Sequence, residues 1–270
     1  MSAIDSLFTK LRAEGRKALM PFVTAGDPDL EFTSAVLQEI VSRGAALCEI
    51  GIPYSDPIAD GPVIQASYTR ALDRGFQLND LWEAARTMGD TCAMPRVTMV
   101  SYAIVQRMGI PTYVERAQQA GFAGAIVPDL PVDEAAEMRA ICEAADYSLI
   151  QLIAPTTPDD RARRIADSCS GFIYYVSVTG ITGERRELPP NLIERLSWLR
   201  EQTQLPICIG FGISQPEQAR MLAPVADGII VGSAIVKRIA SHLESGTTDR
   251  QALIQEVGDF AASMLAALDS

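Results

Sequence analysis

The stretch GIIVGSAIV (228–236) decides the fold. Four residues without a charge run into a Gly–Ser pair, and helix-compatible residues follow at once. The stretch ICIGFGI (207–213) repeats the arrangement one unit upstream. Runs this short and apolar on both faces read as buried parallel strands, because parallel strands are covered on both sides. Working back toward the N-terminus, six more such runs lie at 19–23, 47–50, 97–101, 124–127, 148–153 and 172–177. A helical pattern follows each of the eight: 30–43, 78–89, 112–120, 133–145, 159–168, 191–201, 215–222 and 251–265. Asp133 and Asp159 stand at helix entries, and SQPE (214–217) supplies an N-cap, a proline and a first-turn glutamate.

Eight strand–helix alternations admit a closed barrel or an open doubly wound sheet. No GxGxxG follows the first strand, and the even spacing of the units suits a closed ring. The expected fold is α/β, one (β/α)8 TIM barrel forming a single catalytic domain over 1–270. The length of 270 residues fits, since such barrels run to about 250 residues. An extra N-terminal helix over 3–14 is expected to plug the barrel bottom. A short phosphate-binding helix is expected over 233–239, after strand 8.

The net charge of −11 argues against a nucleic-acid partner, which calls for a basic face. It leaves phosphate binding open, because backbone N–H groups at a helix N-terminus hold anions without lysine. Cys48, Cys92, Cys142, Cys169 and Cys208 are scattered and form no CxxC, as expected of free thiols in a reducing cytoplasm. No signal-like stretch opens the sequence and no run approaches the roughly 18 apolar residues of a membrane span. A cytoplasmic protein without a membrane anchor is the expectation.

In a barrel, chemistry sits on the loops after the strands. Glu49 interrupts the apolar run 47–50, and alternation turns it with Leu47 to one face. Partial burial would raise its pKa and suit it to proton transfer near neutral pH. A structural carboxylate paired with a buried donor is the other reading. Asp60, in ADGP (59–62), is either a turn residue or a second carboxylate folded over the strand mouth. Glycines after strands 7 and 8, with Ser233, form a phosphate-binding pattern. The loop TGITGERRE (179–187) has glycine hinges and is a candidate lid or a long solvated loop. Tyr102 and Tyr175, near strand ends, line an aromatic pocket or pack in the core. His242 is the only histidine and lies in a surface-like stretch, so neither a zinc site nor a Ser–His–Asp hydrolase is indicated. No lysine ends a strand, which leaves a Schiff-base aldolase without its nucleophile.

Taken together, PFVTAGDP (21–28), EIGIPYSDPIADGP (49–62), GFGI (210–213) and GSAI (232–235) resemble the tryptophan synthase alpha chain family nearly end to end. The second piece is the most specific; the glycine pieces are shared with other phosphate barrels. The resemblance implies retro-aldol cleavage of indole-3-glycerol phosphate to indole and glyceraldehyde 3-phosphate. It implies that Glu49 protonates indole C3 and assists deprotonation of the glycerol hydroxyl, with Asp60 beside the indole N–H. Phe22, Tyr102, Tyr175 and Phe211 match positions around the indole. Gly183, Gly212, Gly232 and Ser233 match the phosphate shell. Ser55, Asp56 and Pro57 are expected to face a beta chain, in an alpha2beta2 heterotetramer whose pyridoxal phosphate belongs to the beta chain. No cofactor and no metal are expected in this chain. Ile104 and Val178 depart from residues found in some members. A standalone indole-releasing lyase, a sugar-phosphate isomerase and a silent partner of a beta chain are the competing functions.

Overall fold

The computed structural model describes residues 2–58, 60–89, 94–177, 191–247 and 249–270. The strands are β1 (Ala18–Thr24), β2 (Cys48–Gly51), β3 (Arg96–Met99), β4 (Phe122–Ile126), β5 (Ser148–Ile150), β6 (Leu152–Ile153), β7 (Ile173–Val176), β8 (Ile207–Gly210) and β9 (Gly228–Val231). All their pairings are parallel, in the order β5-β4-β3-β2-β1-β9-β8-β7-β6. The two ends of this order, β5 and β6, are halves of one run parted only by Gln151. A single run therefore supplies both edges, and the sheet closes into the barrel expected from the sequence. The break has a local cause: the Gln151 amide N–H donates to Cys169 Sγ at 3.3 Å, outside the ladder.

Alternation along the strands sorts side chains into two layers. The inner layer holds Met20, Phe22, Leu47, Val97, Met99, Ile126, Ile150, Phe172, Tyr174, Cys208 and Ile230. The outer layer, packed under the helices, holds Leu19, Val23, Ile50, Ala125, Ile153, Tyr175, Ile209 and Ile229. Helix α1 (Ala3–Ala13) begins in a capping box between Ser2 and Asp5 and sends Ile4, Phe8 and Leu11 into the inner cluster. The Phe8 and Phe172 rings lie 5.9 Å apart. This is the bottom plug the sequence predicts.

The remaining helices follow the expected order: α2 (Leu30–Ser42), α3 (Pro62–Asp73), α4 (Leu78–Gly89), α5 (Tyr102–Met108), α6 (Ile110–Gln119), α7 (Ala136–Ala144), α8 (Asp159–Ser168), α9 (Leu192–Gln202), α10 (Pro216–Leu222), α11 (Ser233–Glu244) and α12 (Arg250–Leu268). Two of them, α3 and α5, were not read from the sequence. A start signal for α3 was present, since Gly61 is its N-cap and Pro62 its first residue. The expected helix at 233–239 extends to Glu244, and the one at 133–145 begins as a 3₁₀ turn, Val132–Glu134. Among the described residues no helix is long and apolar enough to cross a membrane.

Candidate active site

Glu49 is held by β2 between Phe22 of β1 and Val97 of β3, its register partners. It is 0% exposed, and neither carboxylate oxygen has a hydrogen-bond partner among the described residues. An unpartnered buried carboxylate resists ionisation, so burial holds Glu49 well above the ordinary glutamate value.

Asp60 reaches the same cavity from the loop after β2. Its amide donates to Pro57 O at 3.1 Å, and Gln65 Nε2 donates to Asp60 O at 2.8 Å and Pro57 O at 3.2 Å. These bonds turn the loop back over the barrel and leave Asp60 8% exposed. Burial, and then the negative charge of Asp129, push its carboxyl up to about 6. Both carboxyls thus hold their protons more tightly than ordinary carboxylates, Glu49 through burial and Asp60 through burial and the charge of Asp129.

Helix α3 locks this loop to the barrel. Ser67 and Thr24 share a buried hydroxyl–hydroxyl bond of 2.7 Å, and Arg70 forks Asp27 in the loop after β1. The cavity contains ≈ 480 Å³ of empty space, its open mouth included. Phe22, Ile64, Met99, Tyr174, Phe211 and Ile230 form its apolar wall.

The rest of the lining is polar backbone, from Gly212, Gly232 and Ser233. Phe211 and Gly212 both have left-handed φ, 71° and 76°. Phe211 is strained there, and two bonds keep the turn: Ser177 Oγ donates to Phe211 O, and Gln218 Nε2 donates to Gly212 O at 3.1 Å. Gln218 Oε1 also accepts from the Ser214 and Gln215 amides at 2.8 and 2.9 Å. Gly232 is the N-cap of α11, and Ser233 is its first residue. The first amides of a helix lack intrahelical partners, and the dipole favours an anion beside them. A Cβ built on Gly232 meets Phe22 at 3.4–3.5 Å, ordinary contact. The glycine is therefore not required by packing within the chain.

The cavity brings together Glu49, Asp60, Phe22, Phe211, Gly212, Gly232 and Ser233 from the expected set. It does not bring Tyr175. Tyr175 pairs with Ile153 and Ile209 and packs in the outer layer, while its neighbour Tyr174 faces the cavity. Side chains alternate, so of two adjacent tyrosines only one faces inward. Tyr102 is not among the lining residues either. It opens α5, its amide donates to Asp129 Oδ1 at 2.8 Å, its hydroxyl accepts from Gln106, and its ring packs against the outer layer. Of the expected partner-facing residues, Ser55 and Asp56 are exposed and bonded to each other at 2.8 Å, whereas Pro57 is buried. Ile58, which the sequence reading did not single out, is 88% exposed at the same rim. Ile104 packs against the outer layer. Gly183, Val178, Cys92 and the candidate lid 179–187 lie outside the described residues. No cluster of metal-ligating side chains occurs among the described residues.

A family model described as tryptophan synthase alpha chain matches residues 8–265. The alpha chain of Rhodopirellula baltica is 56% identical, with 100% of each chain covered. That of Caldanaerobacter subterraneus is 41% identical, with 98% of each covered. Among solved structures, the alpha subunit from Legionella pneumophila superposes with a TM-score of 0.90 at 34% identity, covering 100% of this chain and 99% of that one. A chain of Mycobacterium tuberculosis tryptophan synthase superposes with a TM-score of 0.88 at 29% identity, covering 100% and 99%.

Proposed function

The chain belongs to the tryptophan synthase alpha chain family, and on that premise we propose how its residues divide the chemistry of the reaction. It is a carbon–carbon lyase of tryptophan biosynthesis that cleaves indole-3-glycerol phosphate to indole and glyceraldehyde 3-phosphate. A beta chain is its partner and receives the indole.

The reading rests on one observation: two buried carboxylates line one cavity, and burial raises the pKa of both. Glu49, protonated, donates to indole C3, so the ring becomes a cation with its charge on the ring nitrogen. Asp60, ionised, stabilises that cation beside the N–H. Glu49, now a carboxylate, accepts the proton of the glycerol hydroxyl attached to the reacting carbon. The carbon–carbon bond breaks, its electron pair returns to the ring, and the hydroxyl carbon becomes the aldehyde. Glu49 ends as it began, protonated.

Phe22, Phe211 and Tyr174 enclose the indole in this reading, with Tyr174 in the place first given to Tyr175. Gly212, Gly232 and Ser233 hold the phosphate at the α11 N-terminus, and the family resemblance adds Gly183, which lies outside the described residues. Ser55 and Asp56 face the beta chain, joined by the exposed Ile58. We place the protein in the cytoplasm as one catalytic domain over 1–270, in an alpha2beta2 heterotetramer with pyridoxal phosphate in the beta chain alone.

The test is indole release from indole-3-glycerol phosphate by the chain alone and with a beta chain. The subunit reading expects slow release alone, a strong rise with the partner, and reduced activation of Asp56→Ala with its unassisted rate near normal. Full activity alone with no response to a beta chain would overturn it in favour of a standalone lyase.

A further inference from the structure

Tyr68, on α3, is 1% exposed, and its hydroxyl has no partner among the described residues. The Glu49 carboxylate is in the same condition. Strand β2 relates the two through Gly51, with no hydrogen bond between them. Gly51 lies two residues beyond Glu49 and so shares its inward face. A Cβ built on Gly51 would stand 2.7 Å from the Tyr68 hydroxyl and 2.7 Å from Cε2 of Phe22. The phenol oxygen therefore hangs over Gly51, on the mouth side of Glu49. Two residues of strand span about 6.6 Å, so the two groups are not bonded as they stand and the carboxylate must turn toward the mouth to meet the phenol.

We propose that Tyr68 is a positioning residue for the reaction: its phenol donates a hydrogen bond to the Glu49 carboxylate and holds it on the mouth side of β2, toward the substrate. The inference rests on the reading of Glu49 as the proton-transfer group.

The pairing fits the needs of both groups. A carboxylate only accepts, and a phenol brings one donor. Each alone is a buried polar group with nothing to bond. Tyr68 is a dependable donor, because burial first, and then the charges of Asp60, Tyr54 and Glu49, hold its hydroxyl well above the ordinary tyrosine value. The bond also serves the chemistry. Burial by itself makes Glu49 reluctant to release its proton, and a donor to the charged form draws its proton affinity back down.

The other groups near Glu49 leave this role to Tyr68. Strands β1 and β3 present Met20, Phe22, Val97 and Met99 on the facing positions, and the Thr24 hydroxyl, level with Gly51, is already paired with Ser67 at 2.7 Å. Tyr174 of β7 lines the same cavity and feels the charge of Glu49, but its hydroxyl lies over Gly210 of β8, across the barrel from β2, and Cys208 belongs to that same strand. Asp60 is itself an anion, and Asp129 acts on Asp60 and Tyr54. The Tyr54 ring packs on Tyr68 at 5.6 Å and 50°, which fixes the phenol's direction.

The experiment is Tyr68→Phe in the full chain with its beta chain, since the swap keeps the ring packed on Tyr54. Steady-state kinetics over pH and infrared titration of the protonated carboxyl band are both measured, the band being assigned to Glu49 by its loss in Glu49→Gln. The expected result is a kcat about tenfold lower, KM within about twofold, and a Glu49 titration moved up by about one to two pH units. A Glu49 titration superimposable on that of the parent chain overturns the proposal, whatever happens to kcat, because a purely structural role would lower activity without moving it. Glu49→Gln assayed in parallel separates the two ideas. If that variant keeps its activity, the reading of Glu49 fails; if it loses activity while the Tyr68→Phe titration stands still, only the role of Tyr68 fails.

Discussion

Arg70 grips Asp27 with two parallel hydrogen bonds, Nε to Oδ1 at 3.0 Å and Nη2 to Oδ2 at 2.6 Å. The Asp27 side chain is 2% exposed and that of Arg70 25%. This fork ties α3, which carries Ser67 and Tyr68 and follows directly on Asp60, to the loop after β1.

Arg70→Ala leaves the Asp27 charge buried without its partner. Breaking a buried pair costs about 3–5 kcal/mol, and the low end applies here because Arg70 keeps some water. A melting temperature lower by roughly 6–12 °C is expected, together with slower cleavage because the Asp60 loop loses its anchor. Adding Asp27→Asn to Arg70→Ala removes the stranded charge and should return part of the stability. Calorimetry of the two variants checks this, and a double variant no more stable than the single one would contradict it.

Asp60 sets a pH dependence with two signs. Activity needs its ionised form, so kcat/KM should fall as pH drops through about 6. Stability runs the other way. The folded chain holds this proton up to about 6, while an unfolded aspartate releases it near 3.8. Folded molecules bind more protons within that window, so the Asp60 contribution worsens as pH rises through it, by up to about 3 kcal/mol at pH 7. Asp60→Asn should therefore cut turnover strongly, with only a modest loss of indole affinity, yet melt higher than the parent chain at pH 7 and no higher near pH 4. Chemical denaturation at the two pH values measures the difference, and a variant less stable at pH 7 would refute the penalty.

The two adjacent tyrosines should separate cleanly. Tyr174→Leu removes an aromatic wall whose ring meets Phe211 at 5.7 Å and 69°. Such aromatic contacts are worth about 0.5–1.5 kcal/mol beyond area, so indole inhibition should weaken roughly three- to tenfold. Tyr175→Phe, in the outer layer, should leave indole inhibition unchanged. The reverse pattern would place the indole elsewhere.

Gly232→Val should fold, because the added Cβ only touches Phe22 at 3.4–3.5 Å. Its branches should crowd the space before the α11 amides, raising KM for the phosphorylated substrate at least about tenfold while indole inhibition stays within about twofold. Unaltered KM in a folded variant would move the phosphate away from α11.

Much of this architecture is legible in the amino-acid sequence, and the gaps have physical causes. The strand runs are readable because both faces are buried, which leaves almost no polar residue inside them; Glu49 stands out for that reason. Helix α3 is hidden between the Pro- and Gly-rich loop at 52–62 and the polar turn at 74–77, and its weakly amphipathic sequence has only the Gly61–Pro62 start signal to announce it. The phase of Tyr174 and Tyr175 is ambiguous because two tyrosines in succession satisfy either face. Asp60 reads as a turn residue until Gln65 and α3 are seen holding its loop over the barrel. Pro57 lies in a motif read as facing a partner, yet it is buried, with its carbonyl accepting from Gln65, while Ile58 beside it is exposed.

The central claim is that the buried Glu49 carboxyl delivers the proton that releases indole. The most direct measurement is single-turnover indole release from indole-3-glycerol phosphate by Glu49→Gln, in the full chain with its beta chain, with circular dichroism confirming the fold. The swap keeps the shape and removes only the transferable proton, so the account predicts a rate lower by about 10²–10⁴-fold with substrate still bound. A folded Glu49→Gln variant that releases indole within threefold of the parent rate would contradict it.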